Sequence, residues 1–424
     1  MCLLRMDQRH YMTLPKSKTW SNPLILLCIL NLPIMYLDGY IYTKIGFDRF
    51  QSMYFALVMS LSFIYMVYSK TFIANRLLIP LLTLSIAFIV SPLNISSFGG
   101  LSGNLKYLLR GPFLFIFLII CLKDNVSDRT VRAFCLITII TCTISTFAHA
   151  FMSFGFSTKS NKLNPILNGY FSDTNSATFI LLLASLVYLN SSPGKIKSLI
   201  LTLALVFNLA ALDSKAGILL IFVYLLVTCY FFIFSNTKTT RIILYTIITI
   251  IMGAILTYPT QIAYFLLNLV YTISVKDAGS LAFRFDTWNL LSIITATRDL
   301  KFIALNDTYP LFENFSTLLF GNSFGIYQDH SLVESDLLDS LMALGLIGCI
   351  STFMLYVPIL CSGYKFSRPN VAVPLFILIF SMSLLVGHVF FSPSSVIGLA
   401  IVASYYSRTH NLLSKDGGFQ NEVA

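Results

Sequence analysis

The chain has 424 residues, of which 56% are hydrophobic and only 11% charged, against roughly a quarter charged in soluble domains. So few charges cannot cover the surface of a water-soluble fold of this size. The 28 Lys and Arg outnumber 18 Asp and Glu to give a net charge of +10, but they stand in short groups beside apolar runs, the pattern of membrane topology and not of a nucleic-acid surface.

Apolar runs of about 18 to 20 residues, enough to cross some 30 Å of hydrocarbon, recur along the chain. Their number and spacing predict an all-α, polytopic integral membrane helical bundle of about twelve spans, organised as a single transmembrane domain over residues 1–424. The first 21 residues carry Arg5, Arg9, Lys16 and Lys18 without an apolar stretch and small-residue cleavage site, so the first span is expected to act as an uncleaved anchor. In chain order the spans are expected at 22–37, 51–69, 77–93, 104–122, 131–152, 171–190, 196–212, 214–234, 242–272, 332–361, 371–391 and 393–407. Alternate connections collect Lys and Arg: the N-terminus, Lys70 with Arg76, Lys123 with Arg129 and Arg132, Lys195 with Lys197, Lys238 with Arg241, Lys365 with Arg368, and Arg408 with Lys415. The positive-inside rule then puts both termini in the cytoplasm.

The opposite side receives the connection at 153–170, a short turn at Asp213–Lys215, and one large loop at 276–331. Nine of the 18 acidic residues lie between Asp277 and Asp339, so the polar chemistry is concentrated in and just after that loop, which is expected to fold against the membrane surface. The eight cysteines, at 2, 28, 121, 135, 142, 229, 349 and 361, include no close pair; neither disulfides nor zinc are expected. No nucleotide-binding glycine motif and no repeat of fixed period is present.

Several constellations carry chemistry. Arg284 and Trp288 are one turn apart if Leu281–Ile294 is helical, and such a guanidinium either grips a diphosphate or anchors the loop at the headgroups. Lys215, beside Asp213 in a turn between two spans, is either a cavity cation or a snorkelling interfacial residue. Arg110, six residues into its span, faces the same choice at greater depth. The densest cluster is Asp329, His330, Glu334, Asp336 and Asp339. It supplies a general base, or a divalent-cation site, or carboxylates complementing a helix N-terminus. Asp173 to Ser176 open the sixth span and read as an N-cap. His149 and His388 read as structural.

The order of these features resembles the bacterial O-antigen ligase and polymerase superfamily, the Wzy-type membrane glycosyltransferases, whose fold is a GT-C-like bundle with one large periplasmic loop. Four pieces carry the resemblance: Phe171-Ser-Asp-Thr-Asn-Ser-Ala-Thr; Leu212-Asp-Ser-Lys215-Ala-Gly-Ile, where the family usually has Arg; Leu281-Ala-Phe-Arg284-Phe-Asp-Thr-Trp288 with Leu319-Phe-Gly321-Asn-Ser-Phe-Gly325; and Glu334-Ser-Asp-Leu-Leu-Asp339 with Gly345-Leu-Ile-Gly348. Counting back from Gly345, Glu334 stands where the ligase branch has His. That departure points to the polymerase branch, while His330 keeps the ligase alternative open.

The resemblance implies an inner-membrane enzyme of lipopolysaccharide biosynthesis with the loop in the periplasm. Its substrate is an undecaprenyl diphosphate-linked oligosaccharide. The growing glycan moves onto a new lipid-linked repeat with inversion and without a metal or other cofactor. Arg284, Lys215, Arg110 and Trp288 then bind the diphosphate and substrate, and Glu334, followed by His330 or Asp336, supplies the base. Membrane lipids and a chain-length regulator protein are the implied partners, with no role for nucleic acid. A flippase of lipid-linked oligosaccharide is the competing reading from another class, though flippases bury charge within spans and have short external loops.

Overall fold

The structure, a computed structural model, describes residues 18–47, 49–69, 75–94, 99–122, 126–152, 155, 169–171, 173–190, 200–201, 204–205, 208, 298–328, 335–362, 379, 383 and 389–416. Among them the regular structure is entirely helical. In chain order the α-helices are α1 (Lys18–Ile29), α2 (Asn31–Ile45), α3 (Phe50–Ser69), α4 (Asn75–Val90), α5 (Gly99–Leu108), α6 (Leu114–Leu122), α7 (Asp128–Met152) and α8 (Thr174–Asn190). They are followed by α9 (Arg298–Thr308), α10 (Phe315–Phe320), α11 (Asp336–Ser362) and α12 (Pro393–Asp416). A single π turn, Leu109–Phe113, joins α5 to α6, and short 3-10 turns occupy Ser91–Asn94 and Phe324–Gln328.

Four described helices are long and apolar enough to cross a membrane: Phe50–Tyr68, Leu101–Leu122, Asp128–His149 and Asp336–Tyr356. The bent pair Pro23–Ile29 and Asn31–Ile45 would make a fifth, and Ile79–Asn94, Thr174–Ser185 and Pro393–Tyr405 are shorter apolar helices. These eight segments coincide with eight of the expected spans. The remaining four, at 196–212, 214–234, 242–272 and 371–391, lie wholly or almost wholly outside the described residues.

Helices α6, α8 and α12 form the centre. Leu114–Ile119, Phe179–Ala184 and Val396–Ala403 are buried all round, as helices apolar on every face should be. The outer helices instead leave apolar stripes uncovered: Ile79, Leu82, Ile86 and Ile89 on α4, and Leu136, Ile140, Ile144, Phe147 and Phe151 on α7. Stripes at spacings of three and four are a liability in water and a requirement in lipid.

Three expected straight spans are broken, each for a local reason. The first bends by 64° between α1 and α2 because Pro33 has no N–H to offer the carbonyl of Ile29, four residues back. The fourth widens into the π turn where Pro112 fails the carbonyl of Leu108 in the same way. The third break lies inside α11 at Gly345, whose φ of 66° and ψ of −167° suit only glycine.

The break at Gly345 frees the carbonyls of Met342 and Ala343 from their helical donors. Asn322 and Ser323 fill the places, with N–H to O distances of 2.7 and 2.8 Å. This brings Leu319–Gly321 across Ala343–Gly345 at backbone contact: a Cβ on Gly321 would strike Ala343, Leu344 and Gly345, and one on Gly345 would strike Leu319 and Phe320. Gly345→Ala should therefore lower stability by about 2–4 kcal/mol, measured as a fall in the thermal unfolding midpoint in detergent. Gly103→Ala, whose added Cβ would stand 3.4 Å from its nearest neighbour, should leave the midpoint close to that of the parent.

Candidate functional site

The start of α11 is where the acidic cluster enters the described structure. Ser335 caps the helix: its Oγ accepts the N–H of Leu338 at 3.4 Å, and Asp339 Oδ2 reaches back to accept the N–H of Ser335 at 3.1 Å. This is a reciprocal cap of the capping-box kind. Asp336, one residue into the helix and 1% exposed, has another task. Its Oδ2 accepts the N–H groups of both Val389 and Phe390, the latter at 3.0 Å, so one carboxylate holds the turn that leads into α12.

That turn is gripped from other sides too. Tyr356 donates its phenol to the carbonyl of Phe390 at 2.8 Å. Gly111, within the π turn, packs so closely that a Cβ there would stand 2.6 Å from the same carbonyl oxygen. The π turn thus presses against 390–391, and its next residue back, Arg110, is half-buried with Nη2 donating to Ser52 Oγ at 3.1 Å. Among the described residues, Ser52 is the hydrogen-bond partner of that guanidinium.

Between Arg110 and Asp339 stands an aromatic group. Tyr107 feels the charges of both and stacks on Phe324 at 4.1 Å between ring centres. Phe324 in turn neighbours Tyr327 and Phe391 at 6.0 and 5.3 Å. Tyr327 is buried, and burial first and the Asp339 carboxylate second keep its phenol protonated well above the ordinary tyrosine range. Asn104 ties this layer to α5. Its Oδ1 accepts Ser323 Oγ and the N–H of Phe324 at 2.9 and 2.7 Å, and its Nδ2 donates to the carbonyl of Phe88 and to Ser91. Ser323 sits at φ 69°, a strained setting for a residue with a side chain, held by hydrogen bonds through its N–H and its hydroxyl.

A second polar knot lies at the starts of α8 and α12. Asp173 caps α8 by accepting the N–H of Ser176 at 3.0 Å and also its hydroxyl. Ser176 Oγ then meets Ser392 Oγ at 2.7 Å and accepts from Ser395 at 3.2 Å. Asn31 and Gln51 reach Ser394, and Asp38 accepts the N–H of Gln51 at 2.8 Å. His149 is a main-chain acceptor, taking the N–H of Gly169 at 2.9 Å through Nδ1.

Of the residues expected to form a site, Arg110 and Asp336 are described, and both belong to the layer around Phe390, Phe391 and Tyr107. Glu334, His330, Arg284, Lys215 and Trp288 lie outside the described residues, as does His388. Two of the motif pieces lie against one another: Leu319–Gly321 crosses the backbone at Ala343–Gly345. The sequence assigns no role to Asn94, Asn104, Tyr107 or Tyr327. For the two asparagines a signal existed, since amides beside or within apolar spans need internal partners. Among the described residues, no three His, Cys, Asp or Glu side chains gather closely enough to share a metal ion.

No protein-family model matches the chain, and no curated protein proves similar to it.

Removing the Asp336 carboxylate leaves two buried main-chain N–H groups without their acceptor, at about 1–3 kcal/mol each. Asp336→Ala should accordingly lower stability by roughly 2–5 kcal/mol, read by thermal or denaturant unfolding in detergent, and Asp336→Asn, which keeps an acceptor oxygen, should lose distinctly less. Equal unfolding midpoints for Asp336→Ala and the parent would show that the clamp on 389–390 contributes nothing.

Proposed function

We propose that the chain is a polysaccharide polymerase of the bacterial inner membrane. On this reading it moves a growing glycan from undecaprenyl diphosphate onto a new lipid-linked repeat unit. One observation carries the proposal. The 319–325 stretch, the acidic start of α11 and the break at Gly345 are assembled next to Tyr107, which feels the charges of both Asp339 and Arg110. The resemblance of those same pieces to Wzy-type glycosyltransferases gives the assembly its chemistry.

In the proposed reaction a sugar hydroxyl of the incoming repeat attacks the anomeric carbon of the lipid-linked chain. The new bond is carbon to acceptor oxygen; the bond that breaks is carbon to phosphate oxygen, and undecaprenyl diphosphate departs with the electron pair. The hydroxyl proton passes to Glu334, with His330 the next candidate. Arg284 and Lys215, joined by Arg110, stabilise the charge that develops on the diphosphate, and Trp288 flanks the same substrate. Arg110 suits that part because its guanidinium is half-buried and, among the described residues, hydrogen-bonded by a single hydroxyl. The proposed topology has twelve spans, both termini in the cytoplasm and the 276–331 loop in the periplasm. A chain-length regulator is its expected protein partner.

A strain lacking the gene should make lipopolysaccharide with one repeat on the core and no long chains. Loss of every repeat from the core would instead identify a ligase, and movement of lipid-linked repeats between leaflets by the purified protein, without new glycosidic bonds, a flippase. In complementation, Arg284→Ala should abolish chain growth while the protein stays in the membrane, and Glu334→Gln should be nearly as severe. Normal chain length with Arg284→Ala removes that residue from the mechanism, and activity retained by Glu334→Gln moves the base to His330.

A further inference from the structure

The uncovered apolar stripe of α4 does not stop where the helix stops. Ile79, Leu82, Ile86 and Ile89 lead to Leu93, 78% exposed in the 3-10 turn that follows. Beside it α11 exposes Leu346, Ile350 and Met354. The two helices are packed together through Thr83 and Ser351, whose hydroxyls are 2.8 Å apart, and through Ala87 and Gly348. Their stripes border one another on the outside of the bundle.

At the end of this face stand two further aromatic side chains, Phe312 and Phe315, 65% and 76% exposed. Neither belongs to a loose segment. Ser316 Oγ donates to Asn94 Oδ1 at 2.8 Å, and Asn94 Nδ2 donates to the carbonyl of Gly321 at 2.7 Å. Thr317 Oγ1 donates back to the carbonyl of Leu311 at 3.0 Å, and Leu311 itself is buried with Leu305, Ile326 and Met342. The chain is thus fastened to the residue next to Leu93, with two phenyl rings left outward.

We propose that Leu93, Phe312 and Phe315 form a wedge that sits in the headgroup and upper acyl region of the bilayer, anchoring the start of α10 to the membrane. A bilayer is the occupant because the patch continues the stripes of α4 and α11, and because the boundary of headgroups and acyl chains takes up aromatic rings next to polar groups such as the exposed Glu313 and Asn314. Three side chains are far too small a patch for a stable dimer, which needs about 800 Å² from each partner. The proposal rests on the reading of these helices as membrane-crossing and not on glycosyl transfer.

Tryptophan fluorescence tests it. In full-length protein with Trp20→Phe and Trp288→Phe, which removes both native tryptophans, single variants Phe312→Trp and Phe315→Trp are reconstituted in nanodiscs of phosphatidylethanolamine and phosphatidylglycerol. Ile86→Trp serves as the lipid-facing reference and Asp307→Trp, on the exposed face of α9, as the aqueous one. The wedge predicts that Phe312→Trp and Phe315→Trp emit to the blue of Asp307→Trp and lose emission to brominated lipid, more to shallow than to deep bromines. Quenching by aqueous iodide as strong as for Asp307→Trp, with none by brominated lipid, overturns it. So does protection from both quenchers, which would mean that protein covers the patch. If Ile86→Trp also ignores brominated lipid, the membrane face itself falls and the wedge with it.

Discussion

The described structure turns on one interrupted helix. In an apolar surrounding, a carbonyl that loses its helical donor must find another, since water is not there to supply one. Gly345 breaks α11 and so exposes the carbonyls of Met342 and Ala343, and only a main chain lying directly on the break can answer both. Asn322 and Ser323 do so, which is possible because Gly321 and Gly345 let the two backbones touch. The segment 321–328 that follows α10 is therefore part of the helix packing. Any change that straightens α11 would also cast off the 319–328 stretch and the aromatic layer built on Phe324.

The same demand explains why many buried polar side chains among the described residues gather in knots. Asn104 answers a carbonyl of α4, a hydroxyl and two groups of the 323–324 turn, so an amide that would be costly alone becomes the rivet between α4, α5 and the loop. Ser176, Ser392 and Ser395 share hydroxyls where α8 meets α12. Several other buried hydroxyls are kept within their own helices: Ser62, Thr178, Ser185 and Thr352 donate to carbonyls four residues back.

What the sequence discloses follows the same division. A span needs a run of apolar residues of fixed length, so hydropathy alone locates α3, α7 and α11 to within a few residues. Local chemistry is equally legible: Asp173 three residues before Ser176 is a cap on inspection, and it caps. The widened turn at Pro112 and the break at Gly345 are less so, because a proline or glycine in a span marks a weak place without saying what geometry fills it. Least legible are partners far apart in the chain. Nothing local in Asn104 points to Ser323, or in Asp336 to Val389 and Phe390; those pairings exist only once the helices are packed.

The division of labour among the carboxylates bears on the proposed chemistry. The sequence ranks Glu334 first as the base near this helix start, with His330 or Asp336 after it. Asp336 and its neighbour Asp339 have distinct tasks in the fold. Asp336 is a buried acceptor for two main-chain N–H groups. Asp339 accepts the N–H of Ser335 and lies against the buried Tyr327. Each is spent on fixing backbone around the first turn of α11. Glu334, one residue before Ser335 in sequence, lies outside the described residues. The two aspartates thus fix the start of α11, and Arg110 is set by the π turn against the same 390–391 segment that Asp336 holds.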